Sequence, residues 1–186
     1  MENDRKQEVI NICLDLFIEK GLTSTSTRNL SSALKLQNAG LYYYFESKDE
    51  AVIACAEEAA LRLEKCLIAP AMRELSDLDS LMKRLRSGAD EMAPTMRFFV
   101  SVCVSEQYKD DMKPALDRLS KRYEAYASRL AEKLKCDVSV VAPYLYTTIT
   151  AVTNYMIFNE ESYILPITII FGWKPSIRLG FFPSLA

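Results

Sequence analysis

Between Thr25 and Lys48 the chain sets hydroxyls, amides and cations at short intervals. Thr25, Ser26, Thr27 and Arg28 come first, then Asn38, the run Tyr42-Tyr43-Tyr44, and Lys48. Hydroxyls and amides exchange hydrogen bonds with polar edges, and Arg and Lys pair with phosphate-like anions. These are groups for recognition rather than for proton transfer. The chain contains no histidine, which excludes Ser-His and Cys-His catalysis, His-based zinc sites and the Glu-x-x-His pairs of di-iron bundles. It has no glycine-rich phosphate loop of the GxGxxG or GxxxxGKS type. The acidic pairs Asp110-Asp111 and Glu160-Glu161 fall where connections are expected and read as solvated turns. The expectation is a protein that is not an enzyme and has no metal or cofactor site.

Two short helices joined by a tight turn would position these groups. The first is predicted over Thr27–Leu34, with Leu30, Ala33 and Leu34 facing inward and the hydroxyls of Thr25 and Ser26 capping its first turn. The turn is Lys35-Leu36-Gln37. The second is predicted over Asn38–Phe45, with Leu41 and Phe45 on one face and Asn38, Ala39, Gly40, Tyr43 and Tyr44 on the other. Successive helical residues point about 100° apart, so three consecutive tyrosines cannot all be buried and one or two phenols must project outward. A short helix with small residues at its start and exposed hydrogen-bonding side chains suits a DNA major groove. The competing reading is an ordinary helical hairpin with a sticky tyrosine face, since such pairs also occur in proteins that bind no DNA.

Three segments at matching separations tip that balance. The run VINICLDLFIEKG, through Phe17 to Gly21, fits an apolar-apolar-x-x-Ala-x-x-Leu-Phe-x-x-x-Gly pattern. Thr25-Ser26-Thr27-Arg28-Asn29-Leu30 fits Thr-Ser-x-Arg-Asp-Ile, and Leu41-Tyr42-x-Tyr44-Phe45-x-Ser47-Lys48 fits Leu-Tyr-x-His-Phe-x-Ser-Lys. From Val9 to about Ala51 the chain therefore resembles the N-terminal domain of the tetracycline-repressor (TetR) family of transcriptional regulators. It departs from the pattern at Lys35, where Gly is usual, at Gln37, where a capping Ser is usual, and at Ala39-Gly40, where Gly-Thr is common. Asn38 can replace the missing cap. The resemblance implies a ligand-responsive regulator, most often a repressor, that binds a palindromic operator in double-stranded DNA as a homodimer. It implies that Thr25, Ser26, Thr27, Arg28, Tyr42, Tyr44 and Lys48 meet the phosphate backbone, and that Asn38, Ala39, Gly40 and Tyr43 approach base edges. The alternative is a helical small-molecule-binding or protein-interaction module whose head is degenerate.

The composition sets the frame. Of 186 residues 49% are hydrophobic and 26% charged, enough for an ordinary helical core in one or two domains. The few prolines and glycines stand mostly outside the long periodic runs, which predicts an all-α fold. The net charge of −2 argues against a binder that relies on bulk electrostatics. Between Lys20 and Lys48, however, Lys20, Arg28, Lys35 and Lys48 face Glu46 alone, a local positive face. Cys13, Cys55, Cys66, Cys103 and Cys136 show no CxxC spacing and read as reduced core thiols of a cytoplasmic protein. The start MENDRKQE is not that of a signal peptide, and no run reaches the length of a membrane span.

A first helix over Asp4–Lys20, capped at Gly21, is predicted to back the hairpin through Ile10, Cys13, Leu14 and Phe17. Residues 1–48 form the DNA-binding head, and residues 49–186 an effector-binding and dimerisation body. Ser47 caps a long helix that runs to about Leu67 and connects the two. Further helices are predicted over Asp77–Glu91, Thr95–Ser105 (opened by Pro94 and buried), Lys113–Lys135 and Ser139–Asn159. Met82, Met96, Phe99, Cys103, Tyr123, Tyr126, Tyr144, Thr147, Thr148 and Tyr155 supply sulfur, aromatic and hydroxyl surfaces suited to a mostly apolar effector. Ser139–Asn159 is apolar around most of its circumference and calls for cover from a second copy of the chain. Beyond it, residues 162–186 carry Pro166, Pro175, Pro183, Gly172 and Gly180 among β-branched and aromatic residues. No long helix can form there. The family's last helix is thus replaced by a non-helical tail, whose abrupt composition suggests a shifted reading frame or a divergent ending.

Overall fold

Val9, Cys13, Leu14 and Phe17 recur at three- and four-residue spacing and are all buried, so the first helix, α1 (Glu2–Lys20), is held by one apolar stripe. Gly21 ends it at φ +85°, with its N–H on the Phe17 carbonyl at 2.9 Å. That left-handed conformation is one glycine adopts without strain. The computed structural model describes residues 2–35, 38–68 and 78–159, with side chains placed for 4–35, 40–66 and 86–159. These residues form only helices, turns and bends. After α1 come α2 (Thr27–Ala33), a 3-10 helix (Asn38–Tyr43), α3 (Lys48–Leu63), a π turn (Glu64–Ile68), α4 (Leu78–Cys103), α5 (Lys109–Leu134) and α6 (Val138–Phe158).

Two apolar clusters organise them. The first joins Leu14, Phe17, Leu30, Leu41, Phe45, Val52 and Cys55 of the N-terminal elements to Phe98, Val102, Tyr108 and Met112 of α4 and α5. Phe17 stacks on Phe98 at 5.6 Å and 14°. The second cluster holds Leu63, Ala89, Met96, Ala151, Val152, Tyr155 and Met156, where α4 packs on α6. Burial pushes the Cys13 and Cys103 thiols up to about 11, and all five cysteines are free.

Several expected boundaries shift. Pro94 was expected to open a new helix, yet α4 runs unbroken from Leu78 to Cys103 with Pro94 inside it. A proline there forgoes one backbone hydrogen bond. Packing of Ala89 and Met96 in one cluster and of Phe98 and Val102 in the other holds the helix across that point. Thr95–Ser105 is not wholly buried, since Val104 is 70% exposed. Helix α5 starts a turn earlier than predicted, so Asp110 and Asp111 lie in its first turn rather than in a connection. There they complement the helix dipole. The 162–186 tail lies outside the described residues. No described helix is long and apolar enough to cross a membrane.

Candidate nucleic-acid interface

The N-terminus of α2 is built by Ser26. Its Oγ accepts from the Asn29 N–H at 3.2 Å, and Asn29 Oδ1 in turn accepts from the Ser26 N–H at 2.9 Å. This reciprocal pair is a capping box. Thr25 does not share the capping. It is fully buried, with its hydroxyl donating to the Gly21 carbonyl at 2.8 Å. That corrects the expectation that it faces a phosphate: its hydroxyl locks the α1–α2 corner. Ser26 and Arg28 are exposed and Thr27 is half-buried.

Lys35 turns the chain after α2 at φ +54°. The sequence places a non-glycine residue where the left-handed region is needed, at a cost of about 1 kcal/mol. The following segment is a six-residue 3-10 helix, Asn38–Tyr43, rather than the α-helix expected to Phe45. Its end mixes two patterns, with Tyr44 N–H on the Leu41 carbonyl at 3.0 Å and Phe45 N–H on the same carbonyl at 3.1 Å. Leu41 and Phe45 are buried as the spacing predicted. Two phenols project outward, Tyr42 at 56% and Tyr43 at 74% exposure. Tyr44 is half-buried and meets the Tyr43 ring edge-on at 5.0 Å. Gly40 is half-buried, and the side chains of Asn38 and Ala39 lie outside the described ones.

Ser47 caps α3 by accepting from the Glu50 N–H at 3.1 Å. Lys48, the first residue of that helix, donates to the Leu22 carbonyl at 3.3 Å, tying α3 to the α1–α2 connection. Its neighbour Asp49 binds the other way, into the body. Asp49 Oδ1 accepts from the Tyr108 hydroxyl at 2.9 Å and from Gln107 Nε2 at 3.0 Å. Burial, followed by the bond to Asp49, pushes the Tyr108 phenol up to about 12.

Of the ten residues predicted to line an effector site, Tyr155 lines a cleft among the described residues. Tyr155 is buried, and its hydroxyl donates to Asp90 Oδ1 at 2.6 Å. It lines an open cleft of about 270 Å³ with Asp90, Pro94, Arg97 and Met156. Arg97 closes one side by donating to the Met156 carbonyl at 2.9 Å. Met96 belongs to the second core cluster, with Phe99 packed against it, and Cys103 packs against the first. Tyr144 and Thr147 point outward, and Thr147 and Thr148 turn their hydroxyls back to the Pro143 and Tyr144 carbonyls. Tyr123 and Tyr126 are half-buried on α5. The Met82 side chain lies outside the described ones. The sequence reading missed Asp90, Arg97 and, above all, Glu64. That carboxylate is 4% exposed and held by Arg122 and Tyr126.

A capped helix, a tight turn and a short second helix with outward phenols define a helix-turn-helix protein whose head rests on an all-helical body. Residues 13–55 match the family of bacterial regulatory proteins, tetR family, so the head is similar to the N-terminal domain of that family. The HTH-type transcriptional repressor KstR2 of Rhodococcus jostii is 33% identical over 51 residues, which span 27% of this chain and 25% of that protein. The fold extends further. A TetR-family regulator from Streptomyces coelicolor covers 90% of this chain over 77% of its own, at TM-score 0.61 and 17% identity. The multidrug binding protein EbrR covers 98% over 97%, at 0.59 and 15%. The TetR-family regulator PfmR of Thermus thermophilus covers 82% over 86%, at 0.50 and 24%.

Proposed function

We propose that this chain is a transcriptional repressor that binds a palindromic operator as a homodimer and is released by a small, mostly apolar effector. Residues 1–48 are the DNA-binding head. Residues 49–186, including the atypical 162–186 tail, are the effector and dimerisation body. The observation that carries the reading is the outward face of the helix-turn-helix, where Tyr42 and Tyr43 project from the end of a 3-10 segment that begins Asn38-Ala39-Gly40. Arg28 and Lys48 flank it as phosphate partners, with Ser26, Thr27 and Tyr44 at its edge. Asn38, Ala39, Gly40 and Tyr43 read base edges. KstR2 is by its name a repressor, which supports that sense of regulation.

The dimer is supported by α6, which leaves Val138, Val140, Tyr144, Tyr146 and Phe158 exposed. Apolar groups gathered on one helix to that extent suit an interface. The membership of Tyr108 and Met112 in the head's cluster gives effector binding a route to the DNA surface.

Selection from random duplexes tests the assignment, since a regulator of this kind recovers a palindrome. Against the recovered operator, Arg28→Ala and Lys48→Ala each lower the salt dependence of binding by about one unit. Recovery of no preferred sequence would overturn the repressor reading and leave a small-molecule-binding module.

A further inference from the structure

Glu64 stands at the junction of α3 and the π turn Glu64–Ile68. Its two carboxylate oxygens are used unequally. Oε1 takes the Arg122 guanidinium at 2.8 Å, with a second Arg122 nitrogen at 3.1 Å, and the Tyr126 hydroxyl at 2.5 Å. Oε2 is buried and has no hydrogen-bond partner among the described residues. A buried carboxylate normally satisfies both oxygens. Its sequence neighbour Leu63 packs into the apolar cluster of α4 and α6, and the rings of Tyr123 and Tyr126 lie on the α5 side. Tyr123 is raised to about 12 by burial and by the Glu64 charge, so it stays a neutral phenol at working pH.

We propose that Glu64 Oε2 is the polar anchor of the effector site, and that it accepts a hydrogen bond from an uncharged, mostly apolar effector carrying a hydroxyl or amide N–H. The charge balance selects this class. Glu64 and Arg122 neutralise each other, so a cationic effector would bring an unpaired charge beside a nearly buried group. An anionic one would meet an oxygen with no proton to offer. The position also explains how binding reaches DNA. Glu64 ends the helix that begins at Lys48 and Asp49, and a π turn is a place where a helix changes register at a functional site. The inference rests on the effector reading of the body.

The test uses full-length protein and a matched biphenyl set: 4-hydroxybiphenyl, its methyl ether, the aminomethyl cation and the carboxylate. Melting temperature and operator binding are both read. Wild type is expected to bind the hydroxyl compound about tenfold more tightly than the methyl ether, a single hydrogen bond to a charged acceptor. In Glu64→Gln, where an amide donor can occupy the Oε2 position, the preference falls below about twofold. Arg122→Gln removes the counter-charge but leaves the carboxylate. It is expected to shift the preference to the aminomethyl cation, and it decides the matter should Glu64→Gln not fold. Wild type indifferent to the donor group, or preferring the cation or the carboxylate, overturns the proposal, with Oε2 then met by water only. Donor-dependent stabilisation without operator release upholds the site but removes the repressor reading. Operator release with no dependence on Glu64 does the reverse.

Discussion

The contact between Asp49 and Tyr108 is the sharpest place to test how the head is held. Tyr108 leads into α5 and is 5% exposed, while Asp49 lies at the solvent-exposed start of α3. Tyr108→Phe keeps the ring in the first apolar cluster, so it opens no cavity and removes only the hydroxyl bonded to Asp49 Oδ1 at 2.9 Å. A hydrogen bond to a charged group contributes about 1.5–3 kcal/mol. Exposure of Asp49 screens it, and Gln107 remains on the same oxygen at 3.0 Å, so the coupling expected is about 1 kcal/mol. A double-mutant cycle isolates it. Urea unfolding at pH 7 is measured for wild type, Tyr108→Phe, Asp49→Asn and the double variant. Asp49→Asn also loses a charge near the start of α3, roughly 0.5 kcal/mol, but that loss occurs in both backgrounds and cancels. A coupling below about 0.3 kcal/mol would refute the reasoning, because the joint between body and head would then be apolar packing alone.

Other outcomes follow from the same geometry. Ser26→Ala removes the cap of α2 and should lower stability by about 1 kcal/mol in urea unfolding, with Ser26→Gly losing much less. Lys135 ends α5 at φ +53°, with the Cys136 N–H on the Ala131 carbonyl at 3.1 Å. Lys135→Gly relieves the left-handed strain and should raise stability by about 0.5–1 kcal/mol, read as a higher melting temperature. Alkaline titration tests the raised phenols. Tyr108 and Tyr123 go from 10.0 to about 12 on folding, so the fold favours their neutral forms. Their contribution is complete below about pH 10 and is lost as pH rises through about 12. Unfolding monitored across that window should be shallower in Tyr108→Phe than in wild type.

What could be read in the sequence and what could not divide along a physical line. Periodicity is local, so the face of α1 followed from Cys13, Leu14 and Phe17, all buried, and that of α2 followed at Leu30 and Leu34 but not at Ala33, which is exposed while Ser31 is buried. The Ser26 and Ser47 caps followed from residue type. Two kinds of feature escaped. The first is backbone that contradicts its residues: Lys35 at φ +54°, and Pro94 carried inside α4. Propensity counts such residues as obstacles, but packing on both sides of them outweighs a cost of one to a few kcal/mol. The second is pairing across long chain separations. Glu64 meets Arg122 and Tyr126 across 58 and 62 residues, and Asp49 meets Tyr108 across 59. A glutamate in LEKCL carries no local sign of burial, because a helix of that composition reads as amphipathic with Glu64 outward. Only the one-turn spacing of Arg122 and Tyr126 on α5 hinted that two donors converge on one point. Residue type marks a side chain as suited to an effector but does not say which way it turns. Thr147 and Thr148 bond their own helix, while Tyr126 bonds the buried Glu64 and Tyr155 the exposed Asp90. Tyrosines matched singly to acids, as Tyr126 is to Glu64 and Tyr155 to Asp90, suit the effector proposed above, recognised by one directed hydrogen bond within apolar surroundings.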